Sequence, residues 1–383
     1  MFQLTDYNYH LPEELIAQEA IHPHHNAKMM IIERGTGILK SETTFWDLDN
    51  QINPNGVLFF NDSRVVRSRI ILKDIPYKKI NTERWILHEW EIFYLSTITE
   101  NTIEALIRPG NKFKIGTTFY IWEYLLEVTE NTESGRILKI NWGTISDFLA
   151  KYGSLPLPPY IEYTQEKEAD YQTSFAKKDG SVAAPTASLH FTKELLEKIK
   201  NPKEYITLHV WLGTFQGIKT SDVRDYEIHS EKVEISKDIF GKIFELKQNQ
   251  KKIIAVGTTA TRVLESLPYL WKNLDTSNKK SFDANICNYW DNLISAEENP
   301  NWIKNISMCT DSIEFETSIY ITPGFIFTII DELITNFHLG WSSLLVLVSA
   351  FLGYEKTRKI YEKAIQNKYR FYSFGDGMYI WGK

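Results

Sequence analysis

Residues 253–266 read IIAVGTTATRVLES, and the rest of the chain is best read outward from them. Ile253 to Val256 form a short continuous apolar run of the kind buried on both faces of a parallel sheet. Gly257-Thr258-Thr259 supplies a turn, and a helical pattern follows over 258–267. Backbone N–H groups at such a helix start suit a carboxylate or a phosphate. With one glycine, the turn is neither a dinucleotide fingerprint nor a P-loop. The same alternation flanks it: a helix over 192–200, the strand YITLHVWL (205–212), a helix over 236–250, the strand SIYIT (318–322), and helices over 342–352 and 356–367. Strands alternating with helices predict an α/β domain.

Toward the N-terminus the pattern changes. A helical stretch at Pro12 to Glu19 and the strand-like MMIIERGTGILK (29–40) precede a Pro54-Asn55-Gly56 turn and the buried strand VLFF. From there to about Gly143 come RSRIILK, EIFYLSTI, IEALIRPG, FKIGTTFYIWEYLLEVTE and GRILKINW, β-branched and aromatic runs with almost no helical period. They predict a small all-β barrel or sandwich. PLPPY (156–160) then leads back into the α/β pattern. The boundaries read as a discontinuous α/β main domain over 1–58 and 150–383 with a β domain over 59–149 inserted in it. A polar stretch at 272–311 reads as a surface insertion, with Trp290 and Trp302 pointing to partial packing.

Composition narrows the function. The 383 residues carry 43 Lys+Arg against 49 Asp+Glu, a net charge of −6, so any nucleic-acid contact must be local rather than a bulk basic coat. The 2 cysteines, Cys287 and Cys309, cannot form a four-thiolate zinc site, and such sparse usage favours a reducing, cytoplasmic setting. The start MFQLTDYNYHLPEE lacks a basic and an apolar region of export type, and the apolar stretch 344–352 is too short to span a bilayer.

Several stretches could carry chemistry. Read as one strand, FNDSRVVRSRIILK (60–73) puts Arg67, Arg69 and Lys73 on one face, which suits phosphate contacts or simply solvent. Asn61-Asp62-Ser63-Arg64 is a polar cluster at the end of an apolar strand. In VAAPTASLHFT (182–192), small residues surround Thr186, Ser188 and His190 before a helix capped by Thr192, and His190 reads equally as a structural residue or a catalyst. YEIHSEKVEIS sets His229 and Glu231 on one strand face, where a carboxylate can raise an imidazole pKa and hold its tautomer for acid–base work. No second His at ligand spacing accompanies His229, which disfavours zinc there. Asn336 and His338 precede an apolar helix, and Asp376 sits between glycines in a turn, either structural or reaching a ligand.

Taken in order, LPEELIAQ, FNDSRVV, IRPGNKFKIGT, GSLPLPPYI, YQTSFA, VAAPTASLHFT, TLHVWLGTF, HSE, AVGTTATRVLES, TPGFIF, LITNFHL, LLVLVSAFLG and YRFYSFGDGM span nearly the whole chain. Together they resemble the S-adenosylmethionine:tRNA ribosyltransferase-isomerases of queuosine biosynthesis. The resemblance implies a discontinuous α/β domain with an inserted β-barrel. It implies transfer of the ribosyl group of S-adenosylmethionine, as co-substrate, onto 7-aminomethyl-7-deazaguanine at the tRNA wobble position, giving epoxyqueuosine with loss of adenine and methionine and with no metal. The resemblance settles no base, and the residues themselves favour His229, tuned by Glu231, with His190 the second choice. Asn61, Asp62, Arg64, Thr186, Gly257, Thr258, Thr259, Asn336 and His338 line the pocket, and Arg67, Arg69 and Lys73 hold tRNA phosphates.

The chain departs from the family pattern at defined points. His24-His25-Asn26-Ala27-Lys28 replaces a usual Arg-Asp-x-Ser-Arg, and Tyr226 stands for a usual His. Trp211 replaces Gly, Arg67 replaces Pro, and Gly340-Trp341 follows Asn-Phe-His-Leu where Pro is usual. The competing reading is a divergent paralogue that binds tRNA or nucleoside with altered substrate or without catalysis.

Overall fold

A computed structural model describes residues 2–72, 77–79 (backbone), 90–110, 113–132, 134–141, 143–211, 217–293 and 301–382. The chain divides into two units: Met1–Arg64, Pro158–Lys178 and Ala184–Lys383 form the first, and Val65–Leu157 with Asp179–Ala183 the second.

The first unit is built on a ten-stranded sheet. Its strands run in the order Ile303–Met308, Ser312–Thr317, Glu231–Ser236, Lys203–His209, Gly56–Asn61, Lys252–Val256, Glu332–Asn336, Gly377–Trp381, Lys28–Glu33 and Leu39–Thr44. The centre, from Lys203–His209 to Glu332–Asn336, is parallel. Gly56–Asn61 and Glu332–Asn336 are buried at every residue, and burial on both faces is why VLFF reads as an unbroken apolar run. Leu58, Phe60, Ile254, Val256 and Ile334 share one core with Ala187, Phe191, Leu195 and Tyr379. Helix Lys193–Lys198 starts where the Thr192 hydroxyl accepts from Leu195 N at 3.3 Å. The apolar helix Ser343–Leu352 starts the same way at Ser342, whose hydroxyl accepts from Leu345 N at 3.2 Å.

The second unit carries a seven-stranded antiparallel sheet in the order Arg69–Ile71, Glu91–Thr99, Thr102–Arg108, Arg136–Ile140, Tyr124–Asn131, Thr118–Ile121, Tyr77–Lys79. Burial alternates residue by residue along Thr102–Arg108, as expected when one face packs and the other meets solvent. Ile103, Ala105, Leu126, Val128 and Leu138 form that packed face with Phe148 of helix Ile145–Tyr152.

Five local expectations change. Pro12 to Glu19 is not a helix but a single turn at Glu13–Leu15, because Leu15 O accepts from Phe371 N at 2.8 Å and Ala17 N donates to Phe371 O at 3.3 Å. The strand expected at 318–322 lies instead at Ser312–Thr317, where Ile313 and Phe315 alternate inward. The helix expected from 236 begins at Ile239, because Glu231–Ser236 continues as a strand. FNDSRVVRSRIILK is three short strands, Gly56–Asn61, Ser63–Val65 and Arg69–Ile71, broken where the Asn61 side chain accepts from Ser63 N at 3.1 Å. The stretch 272–311 is integrated rather than appended. Trp290 is 1% exposed and donates to Phe240 O at 3.0 Å, and Ile303–Met308 forms the sheet edge. No helix among the described residues is long and apolar enough to cross a membrane.

Candidate active site

The four parallel strands end at one sheet edge, delivering Asn61, the residues after His209, Gly257 and Asn336. Strands Glu231–Ser236, Gly377–Trp381 and Lys28–Glu33 run the opposite way, so their starts meet the same edge. The chain leaves Gly56–Asn61 toward Lys203–His209 on one side and leaves Lys252–Val256 toward Glu332–Asn336 on the other. The two exits diverge beside Asn61 and Gly257, the place where open α/β sheets form a ligand crevice. Gly257 has φ +89°, a backbone that disfavours a side chain, and a Cβ there would lie 3.6 Å from Ala187 Cβ.

Glu231 anchors the first cluster on this edge. Only 2% exposed, it accepts from Trp211 N at 3.1 Å through Oε1 and from the Arg262 guanidinium through Oε2. Arg262, 5% exposed, also donates from Nε to Ile319 O at 3.1 Å. Its Nη2 is buried without a hydrogen-bond partner among the described residues, and so are His229 Nε2, Tyr320 OH and Thr259 Oγ1. Buried polar atoms are normally paired, so these four, gathered at one sheet edge, are candidates for contact with a ligand. Tyr226 meets Tyr320 edge-to-face at 5.6 Å.

His229 and Glu231 do not share a strand face, since the strand begins at Glu231 and its carboxylate is taken by Arg262 and Trp211. The His229 pKa is also lowered, not raised: burial dominates, and the attraction of Glu231 opposes it only in part. The ring therefore stays neutral at pH 7 and is available to accept a proton.

His190 is held differently. It stacks on Phe45 at 4.1 Å, and its Nε2 pairs with Asn336 Oδ1 at 3.2 Å. Asn336 Nδ2 donates to Tyr372 O at 2.9 Å and Ser373 O at 3.3 Å, which fixes Oδ1 toward the ring. Burial drives the His190 pKa down to about 3. His338 is likewise driven to about 3 by burial, its Nε2 beside Thr335 Oγ1 at 2.9 Å and its N–H donating to Tyr361 OH at 3.0 Å. Both are neutral and packed.

The remaining expected residues mostly hold backbone. Asn61 pairs in both directions with Leu208, at 2.9 and 3.0 Å, Asp62 accepts from Thr207 Oγ1 at 2.7 Å, and Arg64 donates to Ala176 O at 2.7 Å. Thr186 opens the turn Thr186–His190, and Thr258 is buried beside Gly257. Asp376 caps a loop, accepting from Lys28 N at 2.8 Å and Arg370 N at 2.7 Å. In the second unit Arg67 donates to Gly153 O at 2.9 Å, and Arg69 pairs with Glu91 at 2.7 Å, so the basic face is partly neutralised. Lys73 lies outside the described residues. Arg262 and Tyr320 escaped the sequence reading. A lone arginine one helical turn after Thr258, among residues otherwise small or apolar, was the available signal.

The sequence profile of the family described as "Queuosine biosynthesis protein" matches residues 4–380. The chain belongs to this family. A protein of Halothermothrix orenii named S-adenosylmethionine:tRNA ribosyltransferase-isomerase is 38% identical over 99% of this chain and 99% of its own. One of the same name from Fusobacterium nucleatum is 39% identical over 99% of this chain and 97% of its own. A crystal structure of S-adenosylmethionine tRNA ribosyltransferase from Thermotoga maritima covers 98% of this chain and 99% of its own, at 26% identity and a TM-score of 0.49. The queuosine family blocks of this chain thus contribute to the edge described above: FNDSRVV brings Asn61, AVGTTATRVLES brings Gly257 and Arg262, and LITNFHL brings Asn336.

Proposed function

We propose that the protein transfers and isomerises the ribosyl group of S-adenosylmethionine onto 7-aminomethyl-7-deazaguanine at the wobble position of tRNA, forming epoxyqueuosine and releasing adenine and methionine. Full-length relatives bearing the corresponding enzyme name support the reading. The observation that carries it in this chain is the set of buried, unpaired polar atoms on the sheet edge: His229 Nε2, Arg262 Nη2, Tyr320 OH and Thr259 Oγ1.

A sulfonium acidifies the adjacent ribose carbon. His229 Nε2, neutral and without a partner among the described residues, accepts that proton; the electron pair left on carbon becomes a carbon–carbon double bond as the ring C–O bond breaks, and the freed oxygen forms a carbonyl at the anomeric carbon as adenine leaves with its bonding pair. The substrate amine then bonds to the sugar fragment and gives up a proton, and methionine departs with the sulfur's bonding pair as a sugar oxygen bonds to that carbon to close the epoxide. Arg262 Nη2 and the N–H groups at Gly257–Thr259 take the carboxylate of the co-substrate, its one anionic group. Glu231 positions Arg262, and His190 with Asn336 fixes the turn Thr186–His190; both are positioning residues rather than bases. The second unit is the inserted β-barrel domain, and Arg67 is its phosphate contact, with Arg69 weakened in that role by Glu91. The site of action is the cytoplasm.

The test is incubation of the protein with S-adenosylmethionine and tRNA carrying 7-aminomethyl-7-deazaguanine, with mass analysis of digested nucleosides and small molecules. Epoxyqueuosine with equal adenine and methionine is the expected result. No product from folded protein overturns the proposal, and S-adenosylhomocysteine would reassign the chemistry to methyl transfer.

A further inference from the structure

His22, His24 and Asp170 form a cluster that the group-transfer chemistry does not use. Their ligating atoms all lie within 4.8 Å of one another. His24 Nε2 is 3.0 Å from Asp170 Oδ1, and His22 Nε2 is 3.3 Å from Asp170 Oδ2. Tetrahedral zinc with bonds of about 2.0–2.1 Å sets neighbouring ligand atoms about 3.3 Å apart. Small rotations of the three side chains therefore suffice to close on one ion.

The hydrogen bonding of His24 is the independent observation. Its Nδ1 lies 3.0 Å from Leu189 O, which can only accept, so Nδ1 carries the hydrogen. That hydrogen bond aims Nε2 at Asp170, 3.0 Å from Oδ1. A ligating imidazole whose far nitrogen donates to a backbone carbonyl, facing a carboxylate and a second imidazole, is how metal sites orient their ligands. Two imidazoles and one carboxylate are a borderline donor set, suited to zinc, cobalt or nickel and not to magnesium or calcium, which take oxygen.

We infer that His22, His24 and Asp170 bind one divalent transition-metal ion, of the zinc and cobalt class, with a fourth position left to water. The ion ties the His24–Asn26 turn to the end of helix Glu166–Asp170 and, through Leu189 O, to the turn that carries His190. It takes no part in the group transfer and fixes the backbone beside the site.

The experiment uses the full chain, stripped of metal with a chelator and then titrated with Co²⁺, read by calorimetry and by the visible ligand-field bands. The expected result is one Co²⁺ per chain, displaced by Zn²⁺, with affinity weakened about 100-fold or more in His22→Ala and in Asp170→Asn. His22 is 67% exposed, so its replacement leaves the fold intact, which circular dichroism verifies. His10→Ala, an exposed histidine outside the cluster, keeps full affinity. No stoichiometric binding by the native chain, or equal affinity in His22→Ala, overturns the inference.

Discussion

Replacing Glu231 by alanine tests whether this carboxylate serves Arg262 or His229. It is 2% exposed, and among the described residues Arg262, at 5%, keeps only the Ile319 carbonyl once the carboxylate is gone. Breaking one side of a buried ion pair costs about 3–5 kcal/mol, because the surviving charge stays desolvated. Trp211 N also loses its acceptor, a further cost of about 1–3 kcal/mol that overlaps the first. A total near 5 kcal/mol is comparable with the whole stability of many domains. Paired with Arg262→Met, the same change removes the stranded charge, and most of the loss returns. The assay is equilibrium urea denaturation followed by tryptophan fluorescence, with the transition of the first unit fitted separately from that of the second. If Glu231→Ala alone costs less than about 1 kcal/mol, or if the double variant is no more stable than the single, the carboxylate is not holding a buried guanidinium and the reading fails.

Three further outcomes are expected. Because His190 and His338 are held near a pKa of about 3 when folded and return to the ordinary value of 6.5 when unfolded, the unfolded chain binds more protons between those values. Stability is complete above pH 6.5 and falls on acidification toward pH 3, by about 1.4 kcal/mol per pH unit for each histidine, and a flat urea midpoint between pH 7 and 5 would contradict it. His229→Ala removes most turnover while S-adenosylmethionine still binds, and the acid limb of the native kcat/KM profile lies below pH 6.5; near-native turnover in the variant excludes His229 as the base. Arg67→Ala lowers the slope of log affinity for tRNA against log salt by about 1, Arg69→Ala by less, and Glu91→Gln raises it by freeing Arg69; identical slopes in all three discard the phosphate contact.

The fold was legible where one physical cause dominates. Gly56–Asn61 and Lys252–Val256 are buried on both faces, so continuous apolar residues announced them, and Thr192 and Ser342 announced their helices by capping them. Errors arose where tertiary bonding competes with local pattern. Leu15 and Ala17 spend their backbone groups on Phe371 rather than on a helix, and Trp290, which signalled packing of a polar segment, does so against Phe240, a partner no local pattern names. For the candidate site, the blocks read from the sequence meet on one sheet edge, but their pairings differ from those expected. Glu231 lies two residues from His229, yet its partner is Arg262, thirty-one residues away, and only the sheet order reveals that. Nothing in a sequence reports which polar atoms end up buried and unpaired, as His229 Nε2 and Arg262 Nη2 do among the described residues.

The pairing of Lys28–Glu33 with Gly377–Trp381 has a consequence in time. During synthesis the earlier strand leaves the ribosome with only its hairpin neighbour Leu39–Thr44 to bond to. At about 5–20 residues per second, its other partner arrives about 20–70 s later. Through that interval one apolar strand edge stays open, and neither Lys28 N nor the edge that receives Asp376 is complete. The sheet edge bearing the site therefore closes only once Gly377–Trp381 has been made, so the nascent chain depends until then on whatever protects an open strand edge.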